Sequence, residues 1–137
     1  MAVFVPDASA TLAWLLESET SDWSEVLLER FGSGYTAVVP SHWALEVANA
    51  LLVAVRRGRI DKKNSVELFR GLLALPIRVD TCSSEAIFRQ VFAFAEQYGL
   101  TVYDAAYLEL AAREGVPLAT LDAELQNAAR AAGVSLA

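Results

Sequence analysis

Short β-branched runs alternate with longer helical patterns along the whole chain, and this alternation limits the possible folds more than any other feature. AVFV, YTAVVP, IRVD and PLAT read as strands, with VSLA as a last edge strand. Between them lie ASATLAWLLE, SETSDWSEVLLERFG, HWALEVANALLVAVRRG, DKKNSVELFRGLLAL, SSEAIFRQVFAFAEQYG, VYDAAYLELAAREG and DAELQNAARAAG, each with helical spacing of its apolar residues. Strands separated by helices return parallel to one another. The pattern therefore predicts one α/β domain with a central, mostly parallel sheet of about four or five strands flanked by helices.

Cap and stop residues support these divisions. Ser41 and Asp61 stand where N-caps are wanted, and Gly32, Gly58 and Gly115 close helical patterns. No repeat or low-complexity tract interrupts them. With 137 residues, 55% hydrophobic and 20% charged, the chain has enough apolar material for one sizeable core. Its longest apolar runs, ALLVAV and VFAFA, fall far short of the roughly 20 residues that span a bilayer. MAVFVPD lacks a basic n-region and a long apolar h-region, so the start is expected to belong to the fold and the protein to be cytoplasmic.

Composition excludes several chemistries. A lone cysteine, Cys82, makes no intramolecular disulfide, and one histidine, His42, leaves too few ligands for a Cys/His zinc site. Any metal would be held by oxygen. The net charge of −6 argues against a broad basic face that tracks phosphates. Arg56, Arg57, Arg59, Lys62 and Lys63 nevertheless gather in RRGRIDKK, either as a solvated helix end or as a guide for a strand of nucleic acid.

Four acids stand out. In open parallel sheets the functional crevice lies outside the carboxyl ends of the strands, where Asp7 and Asp122 fall. Glu46 and Asn49 are the only polar residues in WALEVANALLVAV, one turn apart on one face. A helix so apolar is expected to be buried, with Glu46 mid-helix and in need of a partner, for which an external cation is a candidate. Asp104 is a lone acid in an apolar and aromatic run. Asp7, Asp104 and Asp122 also precede helical patterns and can be read simply as N-caps. If the four converge, they need a counter-charge, and Mg²⁺ or Mn²⁺ prefers such oxygen ligands. Spacing alone carries the reading no further than an acidic metal site.

The segments VPDASATLAWL, PSHWALEVANALL and GLTVYDAAYLELAAREGVPLATLDAEL, in order and over essentially the whole chain, closely resemble the PIN-domain family, and within it the VapC-type toxins of toxin–antitoxin pairs. The resemblance implies a single PIN domain over residues 1–137. It matches Asp7, Glu46, Asp104 and Asp122 to the family's catalytic, metal-holding acids. Ser9, Asn49 and Thr120 fall at positions that orient those ligands or metal-bound water. The implied activity is Mg²⁺- or Mn²⁺-dependent endoribonuclease hydrolysis, leaving a 5′-phosphate and a 3′-hydroxyl. Implied partners are an RNA substrate, a second copy in a homodimer and a cognate antitoxin laid over the active-site groove. Pro6 departs from the aliphatic residue common before the first acid, a local change at a sheet end.

Rival readings are a PIN nuclease of RNA processing without an antitoxin and a phosphoryl-transfer hydrolase of another α/β class. A haloacid-dehalogenase-like site would resemble D-x-D, and Ser9 stands where its second acid belongs. A receiver domain wants a late lysine, and none follows Lys63. His42 without a nucleophile is poor evidence for a triad and reads as packing or capping. Trp14, Trp23 and Trp43 read as core or interface anchors, and Tyr103 and Tyr107, which flank Asp104, as ordinary packing or as the lining of a groove. No substrate-binding residue is assigned.

Overall fold

A computed structural model describes residues 2–137. The first strand, β1 (Val3–Pro6), lies inside the sheet, paired with β2 (Thr36–Pro40) on one side and β4 (Leu118–Ala119) on the other; β3 (Ile77–Asp80) forms the far edge. All three pairings are parallel, giving the order β3-β2-β1-β4. The chain thus builds outward from β1 to β3 and then returns to the opposite side of β1. That reversal is the switch point at which open α/β sheets form their crevice. The expected last strand, VSLA, contributes a single bridge from Leu136 to Leu118. With β4 only two residues long, there is little ladder for it to join.

Alternate residues of β1 face opposite sides of the sheet. Phe4 packs with Ala10, Leu27 and Ala37, and against Trp14, beside α1 (Ala8–Leu15) and α2 (Asp22–Gly32). Val5 joins the larger core with Val39, Trp43, Val47, Leu108 and Leu118. This second core rests on α3 (Trp43–Arg56), α7 (Val102–Glu114) and α8 (Ala123–Ala131). Trp14 and Trp43 are core residues, as their spacing suggested; Trp43 also donates to Thr11 Oγ1 at 3.0 Å.

The helix buried in the middle of the molecule is α7 and not α3. From Ala105 to Ala111 all but Ala106 are buried, whereas α3 exposes Leu45 (75%) and Leu52 (45%). The apolar run WALEVANALLVAV predicts a buried, mid-helix Glu46. It lies in the first turn of a helix with one open face. The expected Ser41 cap is also absent: His42 is the N-cap residue, in helical conformation and with no side-chain cap bond. Asp61 does cap α4 (Lys62–Leu73), accepting from Asn64 N. The segment after β3 is helical from Ser84 to Tyr98, as α5 (Ser84–Ala86), a π-helical turn (Ile87–Val91) and α6 (Phe92–Tyr98). Gly115 closes α7 in the left-handed region, φ +66°, and turns the chain into β4.

Candidate active site

Asp7 follows β1 directly, and its backbone N–H donates to Ala119 O of β4 at 3.0 Å. The pairing of β1 with β4 therefore holds the Asp7 backbone in place. The side chain caps α1: Oδ1 accepts from Ala10 N at 2.9 Å and from Ser9 Oγ at 2.6 Å. Oδ2 accepts from Thr120 Oγ1, so the second oxygen is not simply turned outward. Thr120 Oγ1 in turn accepts from Asp122 N at 3.0 Å, and Ser9 Oγ accepts from Leu121 N at 3.0 Å. Two hydroxyls thus stitch the end of β1 to the end of β4. Burial raises the Asp7 pKa, opposed by the donors from Ser9, Thr120 and Ala10, with the Asp122 charge adding to the rise.

Asp122 is a true N-cap and accepts from Leu125 N at 2.9 Å. Asp104 is not. Thr101 caps α7 and accepts from the Asp104 backbone N–H at 3.1 Å, which leaves the Asp104 carboxylate in the first turn without a capping duty. Its pKa is raised by burial first, then by the charges of Asp122, Glu46 and Asp7. All four acids therefore lie within one electrostatic neighbourhood, although they come from four separate elements.

Glu46 finds its partner inside the protein. Tyr107, 1% exposed on α7, donates its hydroxyl to Glu46 Oε1 at 2.6 Å. Burial and the Glu46 bond hold the phenol strongly protonated. His42 packs edge-on against the Tyr107 ring at 5.0 Å, donates from Nε2 to Tyr103 O at 3.0 Å, and lies 3.4 Å from Glu46 Oε1. Since a carbonyl only accepts, this bond fixes the His42 proton on Nε2. From the sequence, Tyr107 reads as packing or groove lining and His42 as packing or capping one turn from Glu46, so neither is assigned to the site. Their spacing from Glu46, 61 residues and one helical turn respectively, offers a local signal only for His42. Asn49 is exposed and makes no side-chain hydrogen bond among the described residues.

A second polar cluster was also not foreseen. Glu109, 5% exposed on α7, is held by Arg113 Nε at 2.9 Å, and Arg113 Nη2 reaches Asp80 at the end of β3 at 2.8 Å. The i,i+4 spacing of Glu109 and Arg113 was its visible signal. These bonds raise the Arg113 pKa, Asp80 first and then Glu109. Among the described residues, none of the basic run pairs with the four acids. Arg56 is ten residues beyond Glu46 on α3, about 15 Å at 1.5 Å per residue, and Arg59 pairs with Ser18 and Glu19.

The donors near the four acids are carboxylates and hydroxyls, the oxygen chemistry of a hard divalent cation. Among the described residues, no Lys or Arg pairs with any of the four; His42 alone approaches one. The oxygens are not gathered into a finished cage, since no three of His, Cys, Asp or Glu are grouped closely enough to hold an ion among the described residues. Asp7 is instead engaged by hydroxyl and backbone donors, and Glu46 by Tyr107.

Fold and site together define an α/β protein whose acids share one electrostatic neighbourhood at a sheet switch point, with no Lys or Arg paired to them among the described residues. Residues 4–131 match the family model described as PIN domain, and the chain belongs to that family. It is 32% identical over 121 residues to Ribonuclease VapC3 of Pyrobaculum aerophilum, covering 88% of this chain and 90% of the relative. Among solved structures, PAE2754 from Pyrobaculum aerophilum superposes with a TM-score of 0.72 at 23% identity, covering 93% of this chain and 84% of the other. VapBC2 from Rickettsia felis, bound to a DNA fragment from its promoter, superposes with a TM-score of 0.67 at 14% identity, covering 98% and 97%. These two likenesses are of fold. No helix of the described residues is long and apolar enough to cross a membrane.

Proposed function

We propose that residues 1–137 act as one PIN domain, a divalent-metal-dependent endoribonuclease that serves as the toxin of a toxin–antitoxin pair in the cytoplasm. The observation that carries this reading is the convergence of the acids: Asp104 lies within reach of the charges of Asp122, Glu46 and Asp7 together, while no Lys or Arg among the described residues is paired with them. A cation from outside relieves the repulsion within such a group beyond what the internal donors to Asp7 and Glu46 supply. Asp7, Glu46, Asp104 and Asp122 would hold Mg²⁺ or Mn²⁺. When bound, the ion supplies an activated water and charge neutralisation at a phosphodiester.

The chain's own residues provide the orientation. Ser9 and Thr120 fix the Asp7 carboxylate from both sides, and Tyr107 holds Glu46 in one rotamer. Asp104, with no cap to make, is the acid most available to take or give a proton near the reacting phosphate. Support for RNA as substrate comes from the ribonuclease relative, and for an antitoxin from the toxin–antitoxin complexes among the structural neighbours. The cleft between α3 and α4, with exposed Leu52 and Val66 beside Leu51 and Phe69, is an apolar surface of the kind partner helices cover. A second copy of the chain completes a homodimer.

Purified, antitoxin-free protein is expected to cut total cellular RNA into discrete fragments in Mg²⁺ or Mn²⁺, with cleavage abolished by EDTA and by Asp104→Asn. Intact RNA from a folded protein that binds no Mn²⁺ overturns the site. Intact RNA from one that does bind Mn²⁺ points to another phosphoryl substrate.

A further inference from the structure

Beside the acids, outside the carboxyl ends of β2 and β3, lies a cavity of about 230 Å³. Its walls are mostly apolar: Pro40, Val91, Val102, Ala106 and Leu110. His42 and Tyr103 form its border with the acidic cluster, since His42 approaches Glu46 and Tyr103 precedes Asp104. The far wall includes the π-helical turn, which contributes both Ile87 and Val91. Such turns recur at functional sites.

The polar edge is built by the ion cluster. Arg113 gives Nη1 and Nη2 to the two oxygens of Asp80, and Nε and Nη2 to Glu109. Nη1 keeps a spare N–H, and each Asp80 oxygen keeps a free lone pair, so a donor and an acceptor stand side by side. Two carboxylates against one guanidinium leave no positive charge for a phosphate. An aliphatic side chain would leave that edge unpaired, at a desolvation cost. What fits is a flat, uncharged group with apolar faces and a hydrogen-bonding edge.

We propose that this cavity receives one unpaired nucleobase of the RNA strand, next to the phosphate held at the acids. The proposal rests on the ribonuclease reading. Single-stranded RNA is recognised in this way, by bases splayed into pockets, stacked on Tyr, His or Arg and bonded along their edges. Arg113 and Asp80 then read the base, and His42 and Tyr103 border its entry.

Two experiments on the full chain separate this proposal from the activity it rests on. In the first, the four common ribonucleosides, without phosphate or metal, are titrated into isotopically labelled protein. One or two are expected to shift the amides of Val91, Val102 and Ala106, and Ala106→Phe, which fills the cavity, is expected to abolish the shifts. In the second, RNA with randomised sequence is cut in Mn²⁺ and the ends are sequenced. Wild type is expected to favour one base beside the cut by about tenfold, the scale of one good base contact. That bias is expected to be lost in Ala106→Phe and in Ser41→Trp, which puts bulk at an exposed turn residue that lines the cavity beside His42, while cleavage persists. Thermal melts of both variants check that they fold. Nucleoside shifts unchanged by Ala106→Phe, absence of any nucleoside binding, or tighter binding of N-acetyl-leucinamide than of any nucleoside overturns the base pocket. Failure of wild type to cut RNA, with nucleosides still bound, overturns the nuclease reading and leaves the pocket standing.

Discussion

Asp7 and Asp104 illustrate two ways in which one residue type can serve a site. Asp7 is held by three donors, so its conformation is set by α1, Ser9 and Thr120. Asp7→Asn keeps a good capping residue and is expected to change stability by less than about 1 kcal/mol while Mn²⁺ affinity, measured by calorimetry, falls at least tenfold. Asp104 has a raised pKa, with burial as the main cause and three like charges behind it. A carboxylate whose folded pKa exceeds its unfolded value of 3.8 contributes stability that is full below that value and is lost as pH rises through the folded value. Asp7 has the same sign. In EDTA, melting temperature is therefore expected to fall as pH increases from 4 through the raised carboxyl range, and Asp104→Asn is expected to flatten the curve. An unchanged slope in that variant would remove the like-charge account. Tyr107→Phe deletes a single buried hydroxyl bonded to Glu46 and is expected to cost about 1 kcal/mol in urea denaturation, at the low end because Glu46 stays partly in water.

At the scale of elements, α7 does the most. It is buried along nearly two turns, and its polar residues there, Tyr107 and Glu109, both find side-chain partners, the first on α3 and the second through Arg113 to β3. One face of the helix thus supports the acidic cluster and another the neighbouring cavity. Glu109→Ala leaves Arg113 with Asp80 alone; the loss is expected to be about 2 kcal/mol by chemical denaturation, reduced from the full cost of breaking a buried pair because Arg113 is 39% exposed. Gly115→Ala puts a side chain at φ +66° and is expected to cost about 1 kcal/mol, measured in the same way.

For the whole molecule, the parallel order β3-β2-β1-β4 places the reversal of the chain between β1 and β4. Asp7 and Asp122 come near each other there because strand ends do, and α3 and α7 carry Glu46 and Asp104 within reach of their charge. With no Lys or Arg paired to these acids among the described residues, the proposed metal site predicts that stability responds to divalent ions. Mn²⁺ is expected to raise the melting temperature at pH 8 by several degrees, with little effect at pH 4, where protonation has already relieved the repulsion. Calorimetric scans with EDTA reversal check this, and equal stabilisation at both pH values would contradict it.

Much of this was legible in the chain. The alternation of β-branched runs and helical patterns led to the parallel sheet, and Asp7, Asp61 and Asp122 were readable as caps because capping depends on neighbours three residues away. Periodicity and capping are short-range properties, and sequence carries them directly. It does not carry depth. α3 and α7 are similarly apolar on paper, yet α7 is covered on nearly all sides and α3 keeps an open face, so Glu46 was assigned the burial that belongs to Glu109. The hydroxyl on Glu46 comes from 61 residues away and the one on Asp7 Oδ2 from 113, distances that only the packed sheet closes. Local chemistry was therefore set by the sequence itself, while burial, the partners of the acids and the cavity beside them were decided by tertiary structure, because desolvation and hydrogen bonding depend on what lies across the fold and not along the chain.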